Sequence, residues 1–367
     1  MPVNIVFDHH AFCLQRVGGI SRYFCEIASR IATRPDARVR ILAPVHRNEL
    51  LARSEAPTTG RYLSLPQAAY GPLMVLDFVA TRWGPLARGE RAIVHETFYT
   101  WTQSNGVRGP RVTTVHDMIH ERFRGQFGRF DDTALRKRRS IERADLVLCV
   151  SETTRRDLLE RYSIDASRVV VVHHGCTLAE PAPLRASLVD RPFALYVGSR
   201  GGYKNFRAFV EAFAASAKLT SEARVVAFGG GPLSAAELAH ARSVGLSDRT
   251  LVQTEGDDAA LAAMYAAARV TVVPSLYEGF GLPVIEAMRA GCPVAIADRG
   301  ALPEVAGGAA IEFAPDALDS MRDAIERAFF DETLRRSLIA RGRDRAERFS
   351  WDRCADETLA RYRSLWW

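Results

Sequence analysis

PSLYEGFGLPVIEAMRAGCPVAIADRGALPEVAG, residues 274–307, is the stretch whose reading decides the fold. The apolar run RVTVVPS at 269–275 leads into it and ends at Pro274 and Ser275. A turn follows, Glu278–Gly279–Phe280–Gly281, with glycines where the backbone bends tightly. Pro283 suits the first turn of a helix, where an N–H would go unpaired anyway. GLPVIEAMRAG then reads as that helix, and PVAIAD at 293–298 as the next buried strand. Strand, turn, helix, strand is the repeating unit of a parallel sheet. The turn sits at the carboxyl end of its strand, where such sheets hold ligands. The helix start adds unpaired N–H groups and a positive dipole end, suited to a diphosphate or to sugar hydroxyls. Glu278 stands on the turn, and Glu286 inside the helix, where a carboxylate could take two hydroxyls of a ribose.

The alternation continues outward. FALYVGS at 193–199, ARVVAFGG at 223–230, TLVQTEG at 250–256 and AAIEFAP at 309–315 read as strands. NFRAFVEAFAASAKL, SAAELAHARSVG and DAALAAMYAAA read as helices between them. Upstream, VNIVF at 3–7, VRILA at 39–43, AIVHE at 92–96, RVTTVHD at 111–117, ADLVLCV at 144–150 and RVVVVHHG at 168–175 repeat the pattern. A helix from Ile20 to Thr33 places Ile20, Phe24, Ile27 and Ile31 on one face. SETTRRDLLERY opens with Ser151 as a cap. Region 44–90 is less regular, with Pro57, Pro66, Pro72 and Pro85, and a helix is expected after Pro72 in YGPLMVLDFVATRW. Its aromatics read as packing, and contact of the Tyr70–Trp83 region with a lipid or an acceptor is the alternative. The proline-rich stretch 178–192 reads as a linker.

The 367 residues exceed what one hydrophobic core commonly holds, so two domains are expected. Hydrophobic residues at 47% and charged residues at 25% exclude a disordered or fibrous chain. A net charge of +6 favours anionic partners without naming one. Arg136, Lys137, Arg138 and Arg139 read as a solvated helix face, with a phosphate- or membrane-contacting face as the alternative. The six cysteines are scattered without C-x-x-C spacing, as reduced buried thiols would be. MPVNIVFDHH lacks the shape of a secretory signal and no apolar stretch would span a bilayer, so a cytoplasmic protein is expected. No D-x-D stands at a strand end, since Asp131–Asp132 and Asp257–Asp258 are adjacent pairs in loop-like or helix-start contexts. No metal site and no cofactor are therefore expected.

Residues 274–307, with the two glutamates, the G-F-G-L-P insert and the trailing E-A-M-R-A-G-C-P-V, resemble the signature of retaining glycosyltransferase family 4. The resemblance covers nearly the whole chain. It implies the GT-B form of the α/β class: two doubly wound Rossmann-like domains facing across a cleft. Residues 1–180 would be the acceptor-binding domain and residues 190–348 the nucleotide-sugar domain. Residues 349–367, with Trp351, Tyr362, Trp366 and Trp367, would form a helix packing back across the domain junction. VGGISRYF at 17–24 matches the family's glycine-rich loop, so that Gly18 and Gly19 would approach a diphosphate or acceptor by backbone. TVHDMIH at 114–120 matches its His–Asp pair, with His116 near the donor sugar and Asp117 supporting the loop. YVGSRGGYKNF at 196–206 matches its basic loop and implies Arg200 and Lys204 as the clamp on the donor diphosphate. Tyr203 stands before the lysine where relatives carry an arginine. Gly229 and Gly230 would face the cleft, and Gly256 to Leu261 would lie beside the nucleobase. Gly279, Phe280, Gly281, Leu282 and Glu286 complete the donor contacts.

The resemblance implies transfer of a hexosyl unit from a nucleoside diphosphate sugar to a hydroxyl, with retention. Glu278 would contact sugar hydroxyls and the reacting centre. Arg200, Lys204 and the N–H groups near Gly281 and Leu282 would stabilise the leaving diphosphate. The basic loop resembles versions in O-antigen and surface-polysaccharide mannosyl- or perosaminyl-type transferases. GDP-mannose or a related GDP-sugar is therefore the expected donor, and a growing bacterial surface glycan on a lipid carrier the expected acceptor. Peripheral contact with the inner membrane would follow from that acceptor. The alternatives are a UDP-sugar donor and a non-catalytic nucleotide-sugar-binding subunit. A two-carboxylate hydrolase would leave the basic loop unexplained. HHAFCLQRVGG after the first strand does not fit a dinucleotide-dependent oxidoreductase. Only the net charge would suggest nucleic-acid binding, and no such partner is expected.

Overall fold

The computed structural model describes residues 2–66, 70–82, 91–103, 105–184 and 190–366, with Tyr70 described by its backbone alone. Pro85, Trp83, Trp367 and residues 185–189 of the expected linker lie outside the described residues. The chain divides into two units: Met1–Gly175 with Ser350–Trp367, and Cys176–Phe349.

In the first unit, β1 (Val3–Phe7), β2 (Ala37–His46), β3 (Thr58–Tyr62), β4 (Ile93–Glu96), β5 (Arg111–Val115), β6 (Leu146–Cys149) and β7 (Val169–Val171) form one sheet. Its order is β3-β2-β1-β4-β5-β6-β7, and every pairing is parallel. Helices cover both faces of such a sheet, which is why β1, β4, β5 and β6 are almost wholly buried. Strand β3 and the short helix His10–Leu14 lie in stretches whose sequence showed no periodicity. Strand β3 is mostly exposed, so no apolar alternation marks it.

The second unit holds β8 (Phe193–Val197), β9 (Arg224–Phe228), β10 (Leu251–Thr254), β11 (Val270–Val273), β12 (Val294–Ala297) and β13 (Ile311–Phe313). Their order is β10-β9-β8-β11-β12-β13, again all parallel. The run expected as one helix after Asn205 is two, Phe206–Ala214 and Ala217–Glu222. Ser216 breaks it by capping the second piece through the N–H of Leu219.

The aromatic terminal helix, Trp351–Trp366, packs on the helix Gly19–Ala32 and belongs to the first unit's core. Tyr362 lies 2.5 Å from Nδ1 of His95, whose Nε2 meets Thr114 at 2.8 Å. Gly175 lies directly against the start of this helix: a Cβ there would stand 2.2 Å from the backbone nitrogen of Trp351. All six cysteines are buried and free. Lys137 is fully buried, correcting the reading of residues 136–139 as a solvated face. Its Nζ donates to Glu121 and to the carbonyl of Asp117, each at 2.8 Å. Among the described residues, no helix is long and apolar enough to cross a membrane.

Asp77 is a fully buried acidic residue of the helix Tyr70–Arg82. Its carboxylate accepts the N–H of Val45 at 3.0 Å and the thiol of Cys13 at 3.3 Å. Burial raises its pKa from 3.8 to about 6. The folded chain therefore holds a proton that the unfolded chain has released between those values. The stabilisation is full below pH 3.8 and lost as pH climbs through about 6. A shift of this size is worth about 3 kcal/mol. Asp77→Asn cannot titrate, so wild type should lose about that much stability relative to the variant between pH 4 and pH 7.5. Urea midpoints at the two pH values measure it, and a constant difference would refute the buried titration.

Candidate active site

In the second unit the strand order reverses between β8 and β11, and an open parallel sheet offers its ligand crevice at that point. Two loops leave the carboxyl ends of these strands, 198–205 and 274–281. They are tied by backbone, the N–H of Leu276 donating to the carbonyl of Tyr203 at 2.8 Å. Across that tie, Lys204 Nζ donates to Glu278 Oε1 at 2.7 Å. The Ser275 hydroxyl donates to the same oxygen at 2.7 Å. The two side chains keep 22% and 13% of their exposure, so solvent screens the pair only partly.

Three backbone features hold this arrangement. Asn205 has φ 56, the sole non-glycine left-handed residue among those described, and its side chain donates to the carbonyl of Pro315 at 3.2 Å. Gly281 has φ 97 and caps the helix Leu282–Arg289, whose first turn carries Pro283. Gly300 has φ 59, and a Cβ there would lie 2.7 Å from both N and O of Glu278. Its bare backbone lets Ala301 N–H donate to the Glu278 carbonyl at 3.0 Å. Glu286 emerges from the helix with Oε2 accepting the buried Tyr265 hydroxyl at 2.8 Å. Burial and the Glu286 charge push the Tyr265 phenol far above its ordinary pKa, so it stays a donor.

Two expected ligand contacts have other work. The Arg200 side chain retains 5% exposure. It donates to Glu237 at 2.6 Å and to the carbonyls of Gly229, Gly231 and Pro232 at 2.8, 3.0 and 2.9 Å. It organises the loop Gly229–Gly231, whose three glycines have φ 80, 73 and 74, rather than presenting a free guanidinium to a diphosphate. Burial alone would raise Glu237, but the Arg200 contact holds it below its ordinary pKa. Phe280 is buried, its ring edge-on to Phe349 at 5.6 Å, so it is a core residue. Gly279 and Leu282 flank it at the turn and helix start. Gly256 precedes Asp257, which caps the helix Asp258–Ala267, and Leu261 stands half-buried on that helix.

Arg200→Ala should leave Glu237 without its cation and the glycine loop without its anchor. The expected cost is about 1–2 kcal/mol of stability, because the ion pair is only partly buried and the loop also loses its carbonyl contacts. Thermal melting checks this, and a variant as stable as wild type would return Arg200 to the list of free ligand groups.

In the first unit, Gly18 and Gly19 open the helix Gly19–Ala32. Gln15 folds over this start, its Oε1 accepting the Ser21 N–H at 3.0 Å. His116 follows β5, edge-on to Tyr23 at 5.3 Å and parallel to His174 at 5.6 Å. Burial, helped by His95 and Lys137, lowers its pKa to about 3, so it is a neutral imidazole. Its Nε2 is buried without a hydrogen-bond partner. Asp117 accepts the N–H of Ile119 at 3.0 Å and lies 3.8 Å from Lys137. Sequence reasoning missed Ser275, Tyr265, Glu237 and Gly300. Ser275 and Gly300 lay inside the deciding stretch. Tyr265 and Glu237 meet their partners only through the fold. Among the described residues no group of three or more His, Cys, Asp or Glu could hold a metal ion.

The family described as "Glycosyl transferases group 1" matches residues 185–345, and "Glycosyltransferase Family 4" matches residues 17–180. O-antigen chain mannosyltransferase B of Escherichia coli is 31% identical over 249 residues, 62% of this chain and 62% of that protein. The serotype-specific mannosyltransferase WbdA of Escherichia coli is 29% identical over 70% of this chain. The chain thus spans about six-tenths of the first relative and, at 34%, about a third of the second. Among solved structures, sucrose-phosphate synthase from Thermosynechococcus elongatus superposes with a TM-score of 0.76. It is 23% identical, with 99% of each chain covered, a likeness of fold alone. That fold is the GT-B arrangement of two Rossmann-like domains.

Proposed function

The chain belongs to glycosyltransferase family 4, and on that premise we propose that it is a retaining hexosyltransferase using a nucleoside diphosphate sugar. The donor is GDP-mannose or a related GDP-sugar, and the acceptor is a hydroxyl of a growing bacterial surface glycan, of O-antigen or capsule type, on a lipid carrier. The protein works in the cytoplasm, as a peripheral visitor to the inner membrane where that carrier lies. Mannose is supported by the mannosyltransferase relatives.

The observation that carries the reading is the Lys204–Glu278 pair at the reversal point of the second sheet. A lysine beside a helix start is suited to a diphosphate, and a carboxylate next to it to sugar hydroxyls and a cationic sugar carbon. In the reaction the bond from C1 to the diphosphate oxygen breaks. A bond from C1 to the acceptor oxygen forms on the same face. The acceptor proton leaves with the departing phosphate oxygen. Charge grows on the diphosphate, where Lys204 and the N-terminus of helix Leu282–Arg289 stabilise it. Positive charge grows at C1, which Glu278 faces. Glu286, fixed by Tyr265, takes the ribose hydroxyls. The scheme asks for no metal or cofactor.

Purified protein incubated with GDP-, UDP-, ADP- and dTDP-sugars gives the test, read as slow donor hydrolysis and nucleotide protection against proteolysis. Selective hydrolysis of GDP-mannose or a related GDP-sugar is expected. Protection by a UDP-sugar alone would replace the donor and keep the transferase. Binding of no nucleotide sugar would overturn the donor site.

A further inference from the structure

A cavity of about 630 Å³ opens in the first unit among the segment 120–131, the helix Thr133–Arg143 and the turn 161–168. Its walls include none of the second unit's residues. Arginines 124, 129, 138, 161 and 168 reach it, against the carboxylates of residues 121, 131, 142 and 165.

The carboxylates are already occupied. Glu121 is held by the buried Lys137 at 2.8 Å, and Glu142 by Arg138 and Arg139 at 2.7 and 3.2 Å. Asp131 lies 3.1 Å from His120, and Asp165 accepts the Ser167 N–H at 2.9 Å. Arg124, Arg129 and Arg161 have no carboxylate partner among the described residues. Arg168 is turned inward to the carbonyls of Ile141 and Ala144, and its Nε is buried without a partner. The arginines are therefore in excess over the carboxylates left to answer them.

We propose that this cavity is a second anion site, separate from the donor site, that takes a phosphate ester carried on a ring or apolar body. Three guanidinium forks need more acceptor oxygens than one carboxylate supplies, and a phosphate ester supplies them at up to two negative charges. The rest of the wall fits the ester's body. His120 and Phe127 stack at 4.0 Å, and Leu135, Ile141 and Ile164 give apolar surface. The volume lies within the range of small-molecule sites. A sugar phosphate and the phosphate headgroup of a lipid share this chemistry.

The test titrates the full chain with glucose 1-phosphate, with inorganic phosphate, and with phosphatidylcholine vesicles containing phosphatidylglycerol. Binding is read by calorimetry for the small molecules and by sedimentation for the vesicles. The triple variant Arg124→Gln, Arg129→Gln, Arg161→Gln removes the unpaired cations at three exposed positions, with circular dichroism confirming its fold. Glucose 1-phosphate should bind wild type, bind the Lys204→Ala variant equally, and lose at least about tenfold in affinity in the triple variant, while nucleotide affinity stays unchanged. Arginine-dependent binding of vesicles alone would assign the site to a lipid headgroup. Arginine-dependent binding of inorganic phosphate as tight as that of glucose 1-phosphate would show an anion site indifferent to the ester's body and overturn that part of the inference. Binding that survives the triple variant, that disappears with Lys204→Ala, or that no probe shows would overturn the site. Failure of the nucleotide-sugar panel with success here would separate this inference from the proposed donor chemistry.

Discussion

Glu278→Gln is expected to lower kcat by about 10³-fold while donor affinity changes by less than about threefold. The substitution keeps the shape of the side chain and its bond to the Ser275 hydroxyl, and removes the charge. A positive sugar carbon exists only in the transition state, so a charge facing it acts there and not on the bound donor. About 10³-fold corresponds to about 4 kcal/mol, within the range for one preorganised electrostatic group. Stability should hardly move, because the Lys204 pair is partly solvated and worth about 1 kcal/mol or less. The measurement pairs single-turnover transfer rates with donor affinity by calorimetry. A rate within about tenfold of wild type would reduce Glu278 to a strut for Lys204.

Parallel pairing followed from residues that alternate between apolar runs and helical spacing, and every strand buried on both faces was legible, while the order of the strands in each sheet came only with the structure. Strand β3 was not, because its side chains face solvent and leave no period. The split after Ala214 was missed because Ser216, an ordinary residue inside a helical pattern, acts as a cap. The candidate site was legible where chemistry and backbone coincide. Glu278 and Lys204 carry both a side-chain contact and a loop position, and Gly281 the left-handed backbone of the turn. Arg200 and Phe280 were misread for a shared reason: a residue next to a site can face the protein instead. Their partners, Glu237 and Phe349, are distant in the chain, so the sequence does not show them. Lys137 was misread in the same way, since a run of four basic residues on a helix turns one of them inward. Gly300 was visible as a glycine but not as the neighbour of the Glu278 backbone, a closeness that only the fold creates.

Lys204→Ala should cost about 10²-fold to 10³-fold in kcat, with weakened donor binding as well. The two effects differ in origin from those of Glu278→Gln. The diphosphate is anionic in the ground state and more so in the transition state, so its lysine acts in both. Lys204→Arg keeps the charge but replaces a compact ammonium by a planar fork on a longer stem, and should recover part of the binding and less of the rate. The decisive measurement is the double variant. Lys204 and Glu278 share a contact of 2.7 Å, so their effects cannot be independent. If the pair separates during the reaction, each group meeting its own developing charge, the double variant should fall short of the summed losses by about 1–2 kcal/mol. If the lysine served only to hold the carboxylate, Lys204→Ala would already contain the whole effect. Adding Glu278→Gln would then change nothing further. A double variant no slower than Lys204→Ala would therefore remove Lys204 from the leaving-group side of the mechanism and leave the helix start at Leu282 as the group that meets the diphosphate.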